Sequence, residues 1–488
     1  MTSPDAFRPL DIGSRLELFV DDHLIEEVSG LTQDLHSPIP RESAIVVDRP
    51  WESPHLAYAT VFPDGDRFRM YYRAIDASKV DPQPSGTGYA ESRDGVTWEK
   101  PDLGIIDYRG SKKNNLVWNK GQSVNFSGGF NLCPFKDESP GSSPDHRYKA
   151  LINWAGVKGS PLFAVASPDG LNWDTMQSGP AITGWPPSEM QNYSTWDSRI
   201  DRYVAFVRLW RHGGHTKGVR STVRTLSEDY LHWSDPEWLD FGDAPQEHLY
   251  TFAPVQYHRA PHIYLAFSKR FMPPPDGVGG PAEGIQLVPG RKWAGCASRD
   301  TWLGPGAPDH GVSDGVFACS RDGLHWKRYV EAFIRPGRDG QNWTDRNFLI
   351  ASGVLQTAHD ELSVYYVEHY NHPTARVRRG SLRLDGFVSL RAKYPEGRLV
   401  TRPLLFSGSE MVLNYGTSAA GGIRVELQDE HGRAIQGYEL EGCSVIYGDE
   451  IERAVSWSGG SDLRSLAGRP VRLKFAMRDA DLYSIRFR

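Results

Sequence analysis

The sequence predicts an all-β fold: a five-bladed β-propeller followed by a C-terminal β-sandwich. Three observations predict it. A short Ser-x-Asp-Gly-x-x-Trp pattern recurs along the chain, a strand of alternating character precedes each copy, and the composition is rich in aromatics, Gly and Pro. The pattern reads Ser92-Arg-Asp94-Gly95-Val-Thr-Trp98, Ser167-Pro-Asp169-Gly170-Leu-Asn-Trp173 and Ser320-Arg-Asp322-Gly323-Leu-His-Trp326. A degenerate copy is Ser227-Glu-Asp229-Tyr-Leu-His-Trp233, and a weaker echo is Leu384-Asp385-Gly386-Phe387. Asp-Gly is a tight-turn dipeptide, so each copy marks a hairpin.

The preceding strands are Arg67 to Arg73, Arg147 to Asn153, Arg202 to Arg208, His262 to Lys269 and Glu361 to Glu368. Their alternation of β-branched or aromatic residues with polar ones is strand patterning. A further strand and turn lie ahead of each, as in His55 to Phe62 with Pro63-Asp-Gly65. The unit is therefore strand, turn, strand, loop, strand, Asp-Gly turn, Trp-bearing strand. It occurs five times, with aspartate spacings of 75, 60, 93 and 63 residues. Four-stranded units repeated at this period are propeller blades; a large β-sandwich with chance likeness of turns is the competing architecture.

Composition agrees: 11% of residues are Trp, Tyr or Phe, with 49 Gly and 34 Pro among 488. Aromatics suit a pleated, half-buried surface, and Gly and Pro supply turns. After about Pro395 the repeat stops. Met411 to Tyr415, Ile423 to Leu427 and Val471 to Phe475 alternate cleanly across short turns, which reads as a sandwich of ~90 residues. The expected boundaries are 1–39 for an N-terminal segment, 40–395 for the propeller and 396–488 for the sandwich. The strand Leu16 to Val20 is expected to close the ring or tie the two bodies together.

The formal net charge of −6 gives no electrostatic case for nucleic acid or anionic membrane. Cys133, Cys296, Cys319 and Cys443 are scattered without ligand or redox spacing, so they are expected to be reduced and buried. Neither a secretory signal nor an apolar membrane span is visible, which points to a cytoplasmic protein. No cofactor and no metal site are expected. Gly-x-Ser-x-Gly, Walker-type Gly-Lys-Ser/Thr and His-Glu-x-x-His are absent, and the run Trp210 to His215 holds two histidines without carboxylate partners.

Several segments resemble bacterial proteins related to glycoside hydrolase family 32 and its five-bladed neighbours, above all an uncharacterised family 32-like subgroup. They are Leu18-Phe-Val-Asp-Asp22, Tyr89 to Gly95, Gly110 to Asn115, Glu247-His-Leu-Tyr250, Arg259 to Tyr264, Glu331 to Pro336 and Leu413 to Ala419. The Trp-x-Asn-Asp-Pro and Arg-Asp-Pro motifs of invertases are missing, as is a Glu-Cys pair, which counts against sucrose or levan as substrate. The resemblance implies a glycoside hydrolase, exo-acting on a furanoside-type oligosaccharide or glycoside. A non-catalytic carbohydrate-binding propeller and a propeller lyase or transglycosylase remain the alternatives. A homo-oligomer is left open.

In a propeller the starts of first strands, ends of second strands and starts of third strands meet on one face, where the relatives hold their ligands. Those positions supply Glu52, Asn125, Asn192, Glu247, His248, Trp154, Trp210, Arg270, Asp314, Arg346, Glu368 and Tyr370. Glycoside hydrolysis needs two carboxyl groups flanking the bond, polar groups for hydroxyls and an aromatic floor. Glu247 is the first candidate for one carboxyl, with Glu52, Asp314 and Glu368 competing for the other. Asn125, Asn192, His248, Arg270, Arg346, Trp154, Trp210 and Tyr370 are the candidates for binding substrate. Each has a plainer reading as well. Glu52 fits a solvated turn, Asp314 shapes a turn before Gly315, and His248 suits a hydrogen-bonded core. Asp94, Asp169 and Asp322 read as structural turn aspartates, and Asp21-Asp22 as an N-terminal turn. The C-terminal sandwich reads as a buttress for the propeller, and Trp457 is its one candidate for an exposed sugar-stacking ring.

Overall fold

A computed structural model describes residues 8–75, 85–119, 131–153, 161–185, 191–212, 218–272, 311–343, 347–370 and 372–488. Five antiparallel sheets of four strands form the five blades of a propeller, and an additional sheet follows. No α-helix occurs among the described residues.

Blade 1 runs Ala57–Asp64, Arg67–Ile75, Ser85–Ser92 and Leu116–Asn119. Blade 2 runs Phe135–Lys136, Tyr148–Asn153, Leu162–Ser167 and Asp174–Thr175. Blade 3 comprises Tyr193–Asp197, Arg202–Arg211, Val219–Ser227 and Glu237–Trp238, and blade 4 His248–Tyr257, Ala260–Met272, Val312–Ser320 and Lys327–Arg328. Blade 5 takes three strands, Leu355–Gln356, Glu361–Glu368 and Arg376–Arg383, from its own stretch of chain. Its outer strand, Ile39–Val46, comes from near the N-terminus and pairs with Arg376–Arg383. The ring is thus closed by a strand from the other end of the chain. It is closed again near the axis, where Val61 N–H donates to Ser352 O at 2.8 Å. Gly353 is next, at φ +109°, and a Cβ there would run into the Val61 carbonyl.

The recurring motif makes the turn between third and fourth strands. In blade 1 Asp94 Oδ1 accepts the Val96 and Thr97 N–H groups at 2.8 Å, and Ser92 Oγ accepts Gly95 N–H at 2.8 Å. The same bonds recur at Asp169, Asp229 and Asp322. The fourth motif position needs φ near +70°. Gly95, Gly170 and Gly323 supply it freely, and in the degenerate copy Tyr230 adopts it with φ 70°. These aspartates are therefore turn formers, and burial, which would raise their carboxyls, is outweighed by the donors around them, backbone N–H groups first at Asp94 and Asp169 and the His325 ring first at Asp322, which hold them below the ordinary range.

A second repeat binds neighbouring blades. Asp64 after the first strand of blade 1 accepts Tyr148 OH of blade 2 at 2.7 Å. Asp137 accepts Tyr203 OH at 2.8 Å, and Asp197 accepts Tyr264 OH at 2.6 Å. A cation completes each clasp: Arg69 beside Asp64, Lys149 beside Asp137 and Arg199 beside Asp197.

The additional sheet is built on two long strands, Met411–Gln428 and Arg472–Phe487. Each is bulged near its middle, between Thr417 and Gly422 on the first, so the sheet folds over itself. Met411, Leu413, Ile423, Val425, Phe475, Met477, Ile485 and Phe487, drawn from both halves of both strands, meet in one core. Val388–Ala392 already belongs to this sheet, paired with Leu31–Leu35 and Arg472–Phe487. Glu17–Leu18 and Ile25–Ser29 belong to it too. Trp457 is buried in the core and donates its indole N–H to Val425 O, so it is not an exposed stacking ring; Tyr447, 71% exposed, and Tyr394, 66% exposed, lie at the surface. Cys133, Cys319 and Cys443 are buried and unpaired; Cys296 lies outside the described residues.

The N-terminal segment joins the two bodies. Leu16, Leu18 and Val20 pack with Phe267, Phe317 and Phe387 in one apolar cluster. Beside it Glu17 is fully buried, with Arg321 Nη1 3.0 Å from Oε2 and His262 Nε2 3.1 Å from Oε1. Asp21 accepts Arg321 Nε at 2.7 Å and Asp22 accepts Lys327 Nζ, so this acidic pair docks the segment on blade 4. Burial pushes the Glu17 carboxyl up, but His262 and Arg321 outweigh it and hold it down at about 2. Burial, then Arg321, pushes His23 down to about 4.

Both shifts weaken the fold in acid. His23 binds its proton more readily unfolded, so stability falls as pH drops from 6.5 toward 4. Glu17 is lowered from 4.5, so its contribution of about 3 kcal/mol is present above pH 4.5 and lost as pH falls toward 2. Thermal unfolding across pH 7 to 2 is expected to show both declines, and Glu17→Gln to lessen the lower one, to which the turn aspartates also contribute.

Candidate functional site

First-strand starts, second-strand ends and third-strand starts converge on one face of the propeller. Antiparallel pairing fixes which residues meet there: Leu249 lies opposite Arg270, and Arg270 opposite Asp314. Of the four candidate carboxylates, the structure brings two together. Arg270 pairs bidentately with Asp314, Nε to Oδ1 at 2.8 Å and Nη2 to Oδ2 at 2.6 Å. Its Nη1 lies 3.3 Å from Glu247 Oε1, and Arg328 Nη1 donates to Glu247 Oε2 at 2.8 Å. Glu247 and Asp314 thus sit on either side of one guanidinium. Their side chains are 16% and 20% exposed, which leaves both reachable from solvent. Burial raises the Asp314 carboxyl above its ordinary value, the neighbouring Glu247 charge adds to that, and the Arg270 pair only offsets it.

A cavity of about 470 Å³ opens beside Glu247, lined by Arg211, His212, Trp238, Gln246 and Arg328 among others. Trp238 is 39% exposed, and the Arg211 guanidinium lies 4.6 Å from its ring centre. That volume accommodates one or two sugar rings.

Glu52 and Glu368 lie elsewhere on the same face. Glu52 is buried, and its carboxylate accepts Tyr72 OH at 2.6 Å, the Asp48 and Arg49 N–H groups, and Lys100 Nζ at 2.8 Å. Four donors saturate it as a brace for the loop ahead of blade 1. Glu368 is buried at the end of its strand and accepts Arg376 Nε and Arg378 Nε at 2.8 and 2.9 Å. The next residue, His369, has φ 56°, a left-handed backbone conformation. Tyr370 OH meets His55 Nδ1 at 2.5 Å and Arg73 Nη2 at 3.4 Å. Tyr58 and Phe348, at the same face, also hold left-handed backbone, with φ 53° and 58°. Non-glycine residues in that region are strained, and such strain clusters at ligand sites.

Between blades 3 and 4 the rim is aromatic and cationic. Arg220 lies 4.4 Å from the Trp210 ring, and Lys269 Nζ lies 3.8 Å from the Tyr250 ring. His248 is buried and accepts Arg220 N–H at Nδ1, 3.1 Å away. Asn192 is buried at the start of blade 3, beside Gln191, whose amide crosses the axis to donate to Tyr58 O and Thr60 Oγ1. Asn125, Trp154 and Arg346 lie outside the described residues, as does most of the insertion from Phe271 to Ser313. Sequence reasoning missed His55, Tyr58, Arg220 and Tyr250 as site residues. Tyr250 falls at a register shift between Leu249 and Thr251, and Arg220 is the second residue of its strand, so simple alternation from the strand starts does not select them. Among the described residues no group of three His, Cys, Asp or Glu side chains is placed to hold a metal ion.

No protein-family model matches the sequence. Among curated proteins the chain is similar to the uncharacterized protein MT1551 of Mycobacterium tuberculosis (strain CDC 1551 / Oshkosh), 29% identical over 150 residues. That stretch is 30% of this chain and 41% of the relative, so the match spans less than half of the relative's length. Among solved structures it is similar to a glycoside hydrolase, with TM-score 0.46, 14% identity, and coverage of 71% of this chain and 92% of the other. It is also similar to BT0996 in an RGII complex, with TM-score 0.46, 14% identity and coverage of 72% and 93%. An N-acetylgalactosamine deacetylase from F. plautii, in complex with blood group B trisaccharide, gives TM-score 0.46, 12% identity and coverage of 73% and 96%.

Proposed function

We propose that this chain is a carbohydrate-active propeller that hydrolyses a glycosidic bond, with Asp314 as proton donor and Glu247 as the second carboxylate. The observation that carries the reading is the pairing of these two carboxyls about Arg270, with Glu247 in the wall of a cavity of about 470 Å³ that an exposed Trp238 ring also lines. A glycosidase needs one carboxyl kept protonated near neutral pH and one kept charged. Burial raises Asp314 toward the first role. Glu247 faces both Arg270 and Arg328. Proton transfer from Asp314 requires its Arg270 pair to open when the saccharide enters. Trp238 offers a flat apolar face for a sugar ring, and Arg211, His212 and Gln246 offer donors for hydroxyls. A terminal furanoside, attacked from the chain end, is the substrate that the sequence resemblance implies.

One observation favours a second reading, a propeller that binds saccharide without cleaving it. Each of the four candidate carboxylates has a cationic partner within 2.8 Å. Such pairs also serve purely as structure. A panel of nitrophenyl furanosides and pyranosides separates the two. Release of nitrophenol from at least one member, with a single sugar product, is expected. Saccharide binding without turnover of any member establishes the second reading, and an unsaturated or transferred product identifies a lyase or transglycosylase.

A further inference from the structure

Two arginines hold the carboxylates of this site, and they hold them in unlike ways. The Arg328 side chain is 1% exposed; its Nη2 donates to Pro245 O at 2.6 Å and its Nη1 to Glu247 Oε2 at 2.8 Å. Both ends of that guanidinium are engaged in the interior, so it is a fixed partner. Arg270 keeps a side open to solvent. Its Nη1 donates to Val330 O at 2.9 Å and lies 3.3 Å from Glu247 Oε1. Its other edge, Nε and Nη2, is taken up wholly by Asp314. Turning the guanidinium about Nη1 gives up the Asp314 pair and keeps the Val330 anchor.

Three charged groups face Asp314: Arg270 from the second strand of blade 4, Arg328 from the fourth, and Glu247 from just before the first. Ile334 and Ile350 pack over the next residue, Gly315. Burial is the largest influence on the carboxyl and favours its protonated form, and Arg270 opposes burial. The Arg270 fork fits a charged carboxylate, which accepts two N–H groups at once. A protonated carboxyl carries an O–H donor in place of one acceptor, and a guanidinium has no acceptor to meet it. Protonation of Asp314 therefore opens the pair. By linkage, whatever opens the pair raises the proton affinity of Asp314. A saccharide supplies what the open state lacks: one oxygen to accept the Asp314 proton, and others to accept the freed Arg270 donors.

We infer that Arg270 is a proton-linked latch, closed on charged Asp314 in the empty site and opened by a saccharide and a proton together, so that binding a neutral saccharide takes up about one proton from solvent. Arg328 keeps Glu247 in place while Arg270 turns. The saccharide part rests on the reading of this site as glycosidic; the latch stands on the Arg270–Asp314 geometry.

The test is calorimetric titration of the full chain with the methyl glycosides of arabinofuranose, galactofuranose, xylopyranose and galactopyranose, across pH 5 to 8 and in two buffers of different ionisation enthalpy. Affinity is expected to fall by up to about tenfold per pH unit toward pH 8, with about one proton taken up per sugar bound. Arg270→Gln and Asp314→Asn are each expected to flatten that slope and abolish the uptake, which mere weakening of the fold does not do. Arg270→Lys keeps the charge without the fork and is expected to restore part of the slope. Thermal unfolding shows which variants are folded; should Arg270→Gln not be, the slope of Arg270→Lys against wild type decides. Binding without proton uptake, uptake that persists in Asp314→Asn, or an undiminished slope in Arg270→Gln each overturns the latch. So does failure of every methyl glycoside to bind the wild type. Hydrolysis of a nitrophenyl glycoside in any of those cases leaves the proposed function standing. Proton-linked binding without turnover of any glycoside does the reverse.

Discussion

Glu247→Gln and Asp314→Asn are each expected to lower kcat by about a thousandfold on whichever glycoside the wild type cleaves, because loss of an acid or base in the bond-breaking step removes 10²–10⁴ of the rate. Neither change alters side-chain volume, and both residues keep a hydrogen bond to Arg270; Glu247→Gln also takes the opposing charge from the buried Arg328, so its unfolding midpoint is expected to fall and turnover is read per folded molecule. Glu52→Gln and Glu368→Gln are expected to show the opposite pattern. Glu52 holds four donors in the interior, and Glu368 holds two guanidiniums, so their loss weakens the fold while leaving residual turnover per folded molecule. Steady-state kinetics beside thermal unfolding checks both sets. Turnover abolished by Glu368→Gln with an unchanged unfolding midpoint, alongside an active Glu247→Gln, transfers the carboxylate role to blade 5.

Asp385→Ala is expected to destabilise the protein by about 3–5 kcal/mol, the cost of breaking a buried charge pair from one side. Asp385 is 1% exposed and accepts Tyr257 OH at 2.5 Å and Arg259 Nε at 2.9 Å, both from blade 4. From the additional sheet, Asn414 Nδ2 and Ser484 Oγ approach its Oδ2 at 3.5 and 3.3 Å. One carboxylate therefore ties blade 4, the exit from blade 5 and the additional sheet together. Removing it takes the acceptor from the buried Tyr257 hydroxyl and the opposing charge from the half-buried Arg259. Tyr257→Phe deletes one hydroxyl and is expected to cost about 1–3 kcal/mol. Denaturant titration measures both. A loss under 1 kcal/mol for Asp385→Ala would mean that Asp385 is not what ties the two bodies together.

The propeller was legible because its turns are made by local chemistry. Ser92, Asp94, Gly95 and Trp98 interact with one another within seven residues, so the motif carries its own geometry wherever it recurs. The fifth copy lost that geometry: Asp385 bonds to residues far away in sequence, and only the dipeptide survives. The outer strand of blade 5 was not legible as such. Ile39–Val46 pairs with a strand more than three hundred residues later, and nothing local in Pro40-Arg-Glu-Ser43 names that partner. The role of residues 16–20 was read more closely. Leu16 and Leu18 alternate as a strand, and they do bridge the two bodies.

At the site, sequence placed Glu247, Asp314 and Arg270 on one face through strand ends, which requires only the period of two and the order of strands. It did not separate them from Glu52 and Glu368, because burial and donor count depend on packing. Lys100, which braces Glu52, is 48 residues away and carries no pattern. The same limit hid the cationic and aromatic rim: Arg220, Tyr250 and Lys269 come from three strands of two blades and meet only in three dimensions.

The most direct measurement is a crystal structure of the Asp314→Asn variant soaked with a saccharide that the wild type cleaves or binds. The account predicts a sugar seated against Trp238, with its glycosidic oxygen within roughly 2.6–3.2 Å of the side chain at 314, Glu247 on the other side of the anomeric carbon, and Arg270 swung away from the residue at 314. A sugar bound in the funnel with no atom near residues 247 or 314 contradicts it.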